Sequence, residues 1–190
     1  MFKDPVLNKL VKIYPPPEFV DRSEFLLHAL IKAIVSQQLS VKAADTILTR
    51  FNNLFAPKEF PTPEDILRIK DAKIRESGIS YAKASYIKSL ASAFAKNEIN
   101  VDKLIKMSDE EVIVDLTKLK GVGKWTAEMI LIFALKRPDV FSVDDLGVRR
   151  AIEKLYGITD RVEMIKLSEN WRPHRSTACW YLWRSLTDKT

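Results

Sequence analysis

The stretch that most constrains this chain runs from Leu116 to Arg150 and reads LTKLKGVGKWTAEMILIFALKRPDVFSVDDLGVRR. At its centre, Gly121-Val122-Gly123 sits between two helical patterns. Two glycines one residue apart let the backbone turn through conformations closed to residues with a Cβ, and they leave N–H groups exposed at the start of the next helix. The amides of Gly121, Val122 and Gly123, with Lys124 beside them, therefore read as a seat for a phosphate-like anion. The upstream helix opens on Ser108-Asp109-Glu110-Glu111, an S-x-x-E capping box. The downstream helix shows Trp125, Met129, Ile132 and Phe133 on a broad apolar face and is expected to end near Lys136, before Pro138. After a short loop, Asp144-Asp145 stands at the start of a further helix, Leu146 to Tyr156, closed by Gly157. An anion seat is thus followed at close range by a carboxylate pair.

The rest of the chain is helical in pattern, with almost no strand signal, so the expected fold is all-α. Residues 4 to 14 make a short amphipathic helix that stops at Pro15-Pro16-Pro17. Ser23 is expected to cap a core helix in which Phe25, Leu26, Ala29, Leu30, Ala33 and Ile34 recur at helical spacing. That helix ends in Gln37-Gln38, the only glutamines, and Ser40 begins the next. Thr62-Pro63-Glu64-Asp65 is a helix start, Gly78 ends a short helix from Asp71, and Ser80 caps a longer one. On that longer helix Lys83 and Lys88 flank the apolar stripe and read as solvated lysines. Trp171 to Leu186 holds three tryptophans, of which Trp171 and Trp180 read as core. His28 and His174 have no companions at metal-ligand spacing.

Composition narrows the partners. Lysine and arginine exceed acids by 31 to 25, a net charge of +6, which favours a polyanion without identifying it. The single cysteine, Cys179, excludes an intrachain disulfide and a four-cysteine metal cluster. With neither a signal peptide nor an apolar run of membrane-spanning length, an intracellular soluble protein of cytoplasm, nucleoid or nucleus is expected, a monomer by default and without membrane contact.

Four stretches together resemble the helix-hairpin-helix DNA glycosylase superfamily, and within it the 3-methyladenine DNA glycosylase II branch. They are the hairpin Leu119 to Ala127 followed by Asp144-Asp145, then Ile34 to Ser40, Gly78 to Ala84, and Trp171 to Ser176 running on to Trp183. The resemblance covers roughly residue 20 to the end. It implies two helical subdomains, 26–137 with the hairpin and 1–25 plus 138–190 with the aspartates, and a lesion-binding cleft between them. It implies damaged double-stranded DNA as partner, no cofactor and no metal, and leaves open whether a monovalent cation sits on the hairpin carbonyls as in relatives.

The residue roles implied by the resemblance follow from the chemistry. A glycosidic bond is buried in the duplex, so the nucleotide must be flipped into a pocket. Its cleavage leaves positive charge on the sugar, which a carboxylate stabilises. The second Asp of the pair, Asp145, takes that role, and Asp144 is the expected helix cap. Trp125, Trp183, Met129 and Leu146 fall at base-pocket positions, where aromatic faces would attract a cationic alkylated purine. Arg172 and Arg175 are candidate phosphate contacts. The wedge that fills the gap left by the flipped base falls on Gln38, with Leu39 beside it. Members that also cut the strand carry a Schiff-base lysine where this chain has Trp125, which points to a monofunctional enzyme. Two other readings stay open: the same fold acting on oxidised, deaminated or mismatched bases, and a non-catalytic helix-hairpin-helix DNA-binding module.

Overall fold

The computed structural model describes residues 2–187. Among these are twelve α-helices and no strand: α1 (Pro5–Ile13), α2 (Leu26–Ser36), α3 (Val41–Asn53), α4 (Pro63–Arg68), α5 (Asp71–Glu76), α6 (Tyr81–Ala95), α7 (Val101–Lys106), α8 (Asp109–Leu116), α9 (Lys124–Phe133), α10 (Leu146–Tyr156), α11 (Arg161–Ser168) and α12 (Arg175–Arg184). Residues Arg22–Ile130 form one compact unit, and the described residues on either side form a second. None of the described helices is long and apolar enough to cross a membrane.

Local chemistry sets the helix starts. Side-chain oxygens of Asp4, Ser40, Thr62, Ser80, Asn100, Ser108, Asp145 and Asp160 each accept a first-turn amide, which satisfies donors that the helix itself cannot. Ser23 differs from expectation. It opens a 3₁₀ turn, Ser23–Phe25, that leads into α2 without a side-chain cap.

In the Arg22–Ile130 unit, α2, α4 and α5 pack on α6. Leu30, Ile34, Phe51, Ile66, Ile87 and Leu116 are among its buried side chains. The two lysines of α6 are not solvated as expected. Lys83 Nζ donates to the carbonyls of Val35 (2.9 Å) and Gln37 (2.8 Å), and Lys88 Nζ donates to Leu67 O at 2.9 Å. Each ammonium thereby satisfies carbonyls left over where α2 and α4 end. Burial pulls the Lys83 ammonium below the usual lysine range.

In the second unit α1 and α10 pack on α12, around a core of Leu7, Leu10, Val148, Ile152, Trp171 and Leu182. Asp4 is the polar tie in this core. Its Oδ1 caps α1 through Val6 N (2.8 Å) and Leu7 N (3.0 Å), while Oδ2 accepts from Tyr156 Oη and Trp171 Nε1, both at 3.0 Å. Burial, the Asp4 charge and this hydrogen bond together push the Tyr156 hydroxyl well above the usual tyrosine range. Trp171 is buried as expected, whereas Trp180 is half-buried, with the Arg184 guanidinium 5.8 Å above its ring.

Candidate active site

The hairpin lies within the Arg22–Ile130 unit, between α8 and α9. Its two glycines do different things. Gly121 has φ +83°, and a Cβ there would sit 2.4 Å from Tyr86 Cδ2. Gly123 has an ordinary φ, is exposed, and a Cβ on it would meet nothing within 4 Å. Gly121 is therefore required by the protein, and Gly123 leaves its outer face clear. The Val122 amide is spent inside the turn on Leu119 O (3.1 Å), which removes it from the expected anion seat. The amides of Gly123 and Lys124 remain at the open end of α9, where helix geometry turns them outward. Lys124 Nζ stands 3.7 Å from Glu128 Oε1, one turn along the helix. Two hairpin carbonyls each accept an N–H, Leu119 O that of Val122 at 3.1 Å and Gly121 O that of Gln37 Nε2 at 2.9 Å.

The corner between α2 and α3 belongs to the same unit. Leu39 N donates to Ser36 O at 3.2 Å, closing a turn whose third residue, Gln38, has φ +59°. A non-glycine residue with φ in this region costs on the order of 1 kcal/mol and is held there by its surroundings. Gln38 and Leu39 are both exposed at this corner. Gln37 is not: half-buried, it turns its amide inward to Gly121 O and to Thr126 Oγ1 (3.2 Å).

The aspartates lie in the second unit. Asp145, not Asp144, is the N-cap of α10, its Oδ1 accepting from Val148 N at 2.8 Å. Asp144 instead pairs with Arg161 at 3.0 Å. Asp145 Oδ1 also accepts from Trp183 Nε1 at 2.7 Å. Gly147 makes this approach possible, because a Cβ there would lie 2.8 Å from Trp183 Cδ1 and 3.1 Å from Asp145 Oδ1. Leu146, beside the carboxylate, is 52% exposed.

A residue that sequence reasoning left out of the pocket joins Trp183. Phe133, the last residue of α9, lies 5.6 Å from the Trp183 ring at an interplanar angle of 30°, and Phe19 lies 6.0 Å from Phe133. Phe133 is 44% exposed, an unusual state for a phenylalanine of a core stripe. α9 stops at Phe133, earlier than expected, and Lys136 turns the chain with φ +53°.

Arg175 and Arg172, the candidate phosphate contacts, both pair with Asp139. Arg175 donates to Asp139 through Nε (2.8 Å) and Nη2 (3.0 Å to Oδ2, 2.7 Å to the main-chain O), and Arg172 Nη1 meets Asp139 Oδ2 at 2.7 Å. Ser176 adds a second anchor, its hydroxyl donating to Arg137 O (2.6 Å) and accepting from Val140 N (3.0 Å). These bonds tie α12 to the 134–145 loop that delivers Asp145. Burial disfavours the Asp139 carboxylate, but the two arginines outweigh it and hold Asp139 below the usual carboxylate range.

Residues 31–173 match the profile of the HhH-GPD superfamily base excision DNA repair proteins. DNA-3-methyladenine glycosylase 1 of Schizosaccharomyces pombe is 40% identical over 190 residues, spanning 97% of this chain and 83% of that protein. The solved S. pombe 3-methyladenine DNA glycosylase in complex with abasic DNA superposes with a TM-score of 0.89 at 35% identity, over 98% of this chain and 94% of that one. A DNA-3-methyladenine glycosidase from Bacillus halodurans gives 0.80 at 32% identity, over 97% and 86%. By the match over residues 31–173 and by the 40% identity to the S. pombe protein, this protein belongs to the HhH-GPD superfamily of base excision DNA repair proteins.

Proposed function

We propose that the protein is a monofunctional DNA glycosylase that releases alkylated, cationic purines such as 3-methyladenine and 7-methylguanine from duplex DNA and leaves an abasic site. The observation that carries this reading is Asp145, whose carboxylate is fixed through Oδ1 by a main-chain amide and an indole N–H. Charge placed in advance needs no reorganisation when the sugar becomes oxocarbenium-like, and this is where an electrostatic contribution to catalysis is largest. A base that already carries positive charge is a good leaving group and needs little acid assistance.

The aromatic pair Phe133–Trp183 beside Asp145 supports the choice of a cationic base. A cation over such rings gains about 0.5–2 kcal/mol per contact. Trp125, Met129 and Leu146 keep the base-pocket roles that the resemblance implies. On the hairpin, Gly121 forms the turn, and the amides of Gly123 and Lys124 grip a backbone phosphate, giving affinity without sequence preference. Gln38 enters the gap left by the flipped base, with Leu39 at its side. Trp125 at the position of the lyase lysine makes the chemistry hydrolytic.

The test is incubation of the protein with methylated duplex DNA, with chromatography of released bases and gels run before and after alkali. Free 3-methyladenine or 7-methylguanine, with strand breaks only after alkali, is the expected result. Breaks without alkali would show lyase chemistry, and release of oxidised or deaminated bases alone would move the substrate class.

A further inference from the structure

The corner that carries Gln38 and the hairpin that carries Gly123 are joined through one side chain. Gln37 Nε2 donates to Gly121 O (2.9 Å) and Thr126 Oγ1 (3.2 Å), so a single amide spans both sides of the hairpin turn. A carbonyl only accepts, which fixes the amide with its nitrogen toward Gly121. The main chain of the same residue is held from the other side, where Lys83 Nζ donates to Gln37 O at 2.8 Å and to Val35 O at 2.9 Å. Three residues further along α6, the Tyr86 ring lies against Gly121. One face of α6 therefore backs both elements, and Gln37 is the link between them.

The link has a mechanical consequence. Gln38 is kept at φ +59°, a conformation its own chemistry does not favour, so something must hold the turn. Its neighbour Gln37, anchored at both main chain and side chain, is that hold. We infer that Gln37, braced by Lys83, is a positioning residue that sets the offset between the gap-filling Gln38 and the phosphate-gripping hairpin, and so confers preference for DNA with a vacated base position over intact duplex. This rests on the proposed roles of Gln38 and the hairpin. The amides of Gly123 and Lys124 bind phosphate in any duplex, whereas Gln38 gains contacts only where the stack is open. A corner released from the hairpin should therefore lose selectivity and keep general affinity.

The experiment compares wild type, Gln37→Leu and Lys83→Met for affinity to a duplex with a tetrahydrofuran abasic analogue and to the same duplex intact, with thermal melting and single-turnover base release alongside. Leucine keeps most of the volume of Gln37 and removes its donor; methionine keeps the Lys83 stem and removes the ammonium. Each variant is expected to bind intact duplex within twofold of wild type, to lose at least tenfold in abasic-site affinity, and to release base correspondingly slowly. The double variant Gln37→Leu/Gln38→Ala should be no less selective than Gln38→Ala alone, because Gln37 acts through Gln38. Equal losses on both duplexes, tracking a lower melting temperature, would show a merely structural role and overturn the inference, as would unchanged selectivity. Should Gln37→Leu fail to fold, Lys83→Met alone decides by the same two ratios. A wild-type protein that shows neither base release nor a preference for abasic DNA would instead sink the proposed function.

Discussion

The indole of Trp183 donates to Asp145, Nε1 to Oδ1 at 2.7 Å, across a space that only a glycine at position 147 leaves open. Two N–H groups, this one and that of Val148, orient the same carboxylate oxygen. The same indole packs against Phe133. Trp183 thus has two separable parts: a ring that offers a stacking face and an N–H that orients the acid.

Trp183→Phe keeps a ring and removes the donor. A hydrogen bond to a charged group contributes about 1.5–3 kcal/mol. The single-turnover rate should therefore fall about ten- to a hundredfold, while affinity for abasic DNA changes little. Gly147→Ala should act in the same direction by pushing the indole away from Asp145. Rapid-quench kinetics with a pre-bound methylated duplex measures both.

The hairpin glycines should separate stability from binding. Gly121→Ala meets both a positive φ and the Tyr86 ring, and should cost about 2–4 kcal/mol in urea unfolding. Gly123→Ala meets no protein atom and should change stability by less than about 1 kcal/mol. Its methyl group would project where the phosphate is proposed to sit, so DNA affinity should drop about tenfold or more in a polarisation titration.

Asp4→Ala removes a helix cap and the acceptor for both Tyr156 and Trp171. With about 1 kcal/mol for the cap and about 1–3 for a buried donor left unpaired, the loss should be about 3 kcal/mol. Denaturant melts of the variant would show it as a lower midpoint with an unchanged slope.

Acid should loosen the loop that carries Asp145. Asp139 is held below the usual carboxylate range, so the stability it contributes is present above its unfolded pKa, near 3.9, and is lost as pH falls through the lower native value. Urea midpoints measured from pH 7 down to pH 2 should show an acid limb below about pH 4 that is shallower in Asp139→Asn. At pH 7 that variant should be less stable by about 1–2 kcal/mol. An acid limb identical in the two proteins would remove Asp139 as its source.

The features legible in the sequence were those whose chemistry is local. A glycine turn between periodic segments and caps such as Ser40, Thr62, Ser80 and Ser108 announce themselves within a few residues. The helix start at Leu146 already implied a cap at residue 145, and the resemblance drew attention to Asp145 for chemistry instead. Asp4-Pro5 carried the same kind of signal as Thr62-Pro63 and was available too. What could not be read were pairings between distant positions. Gln37 reaches Gly121 across 84 positions, and Lys83 reaches Gln37 across 46. Neither leaves a periodicity behind, and a lysine capping a distant helix end looks in sequence like any solvated lysine. The pairing of Arg175 was hidden for the same reason: its partner, Asp139, lies 36 positions upstream.

The central claim is that Asp145 is the group that breaks the glycosidic bond. Asparagine is as good a helix cap as aspartate, so Asp145→Asn removes the charge and keeps the turn. The measurement is single-turnover release of 7-methylguanine from duplex DNA by wild type and Asp145→Asn, with abasic-DNA affinity determined on the same preparations. The account predicts a loss of at least a hundredfold in rate with affinity within a few-fold of wild type. A variant that releases base at a rate close to wild type would contradict it.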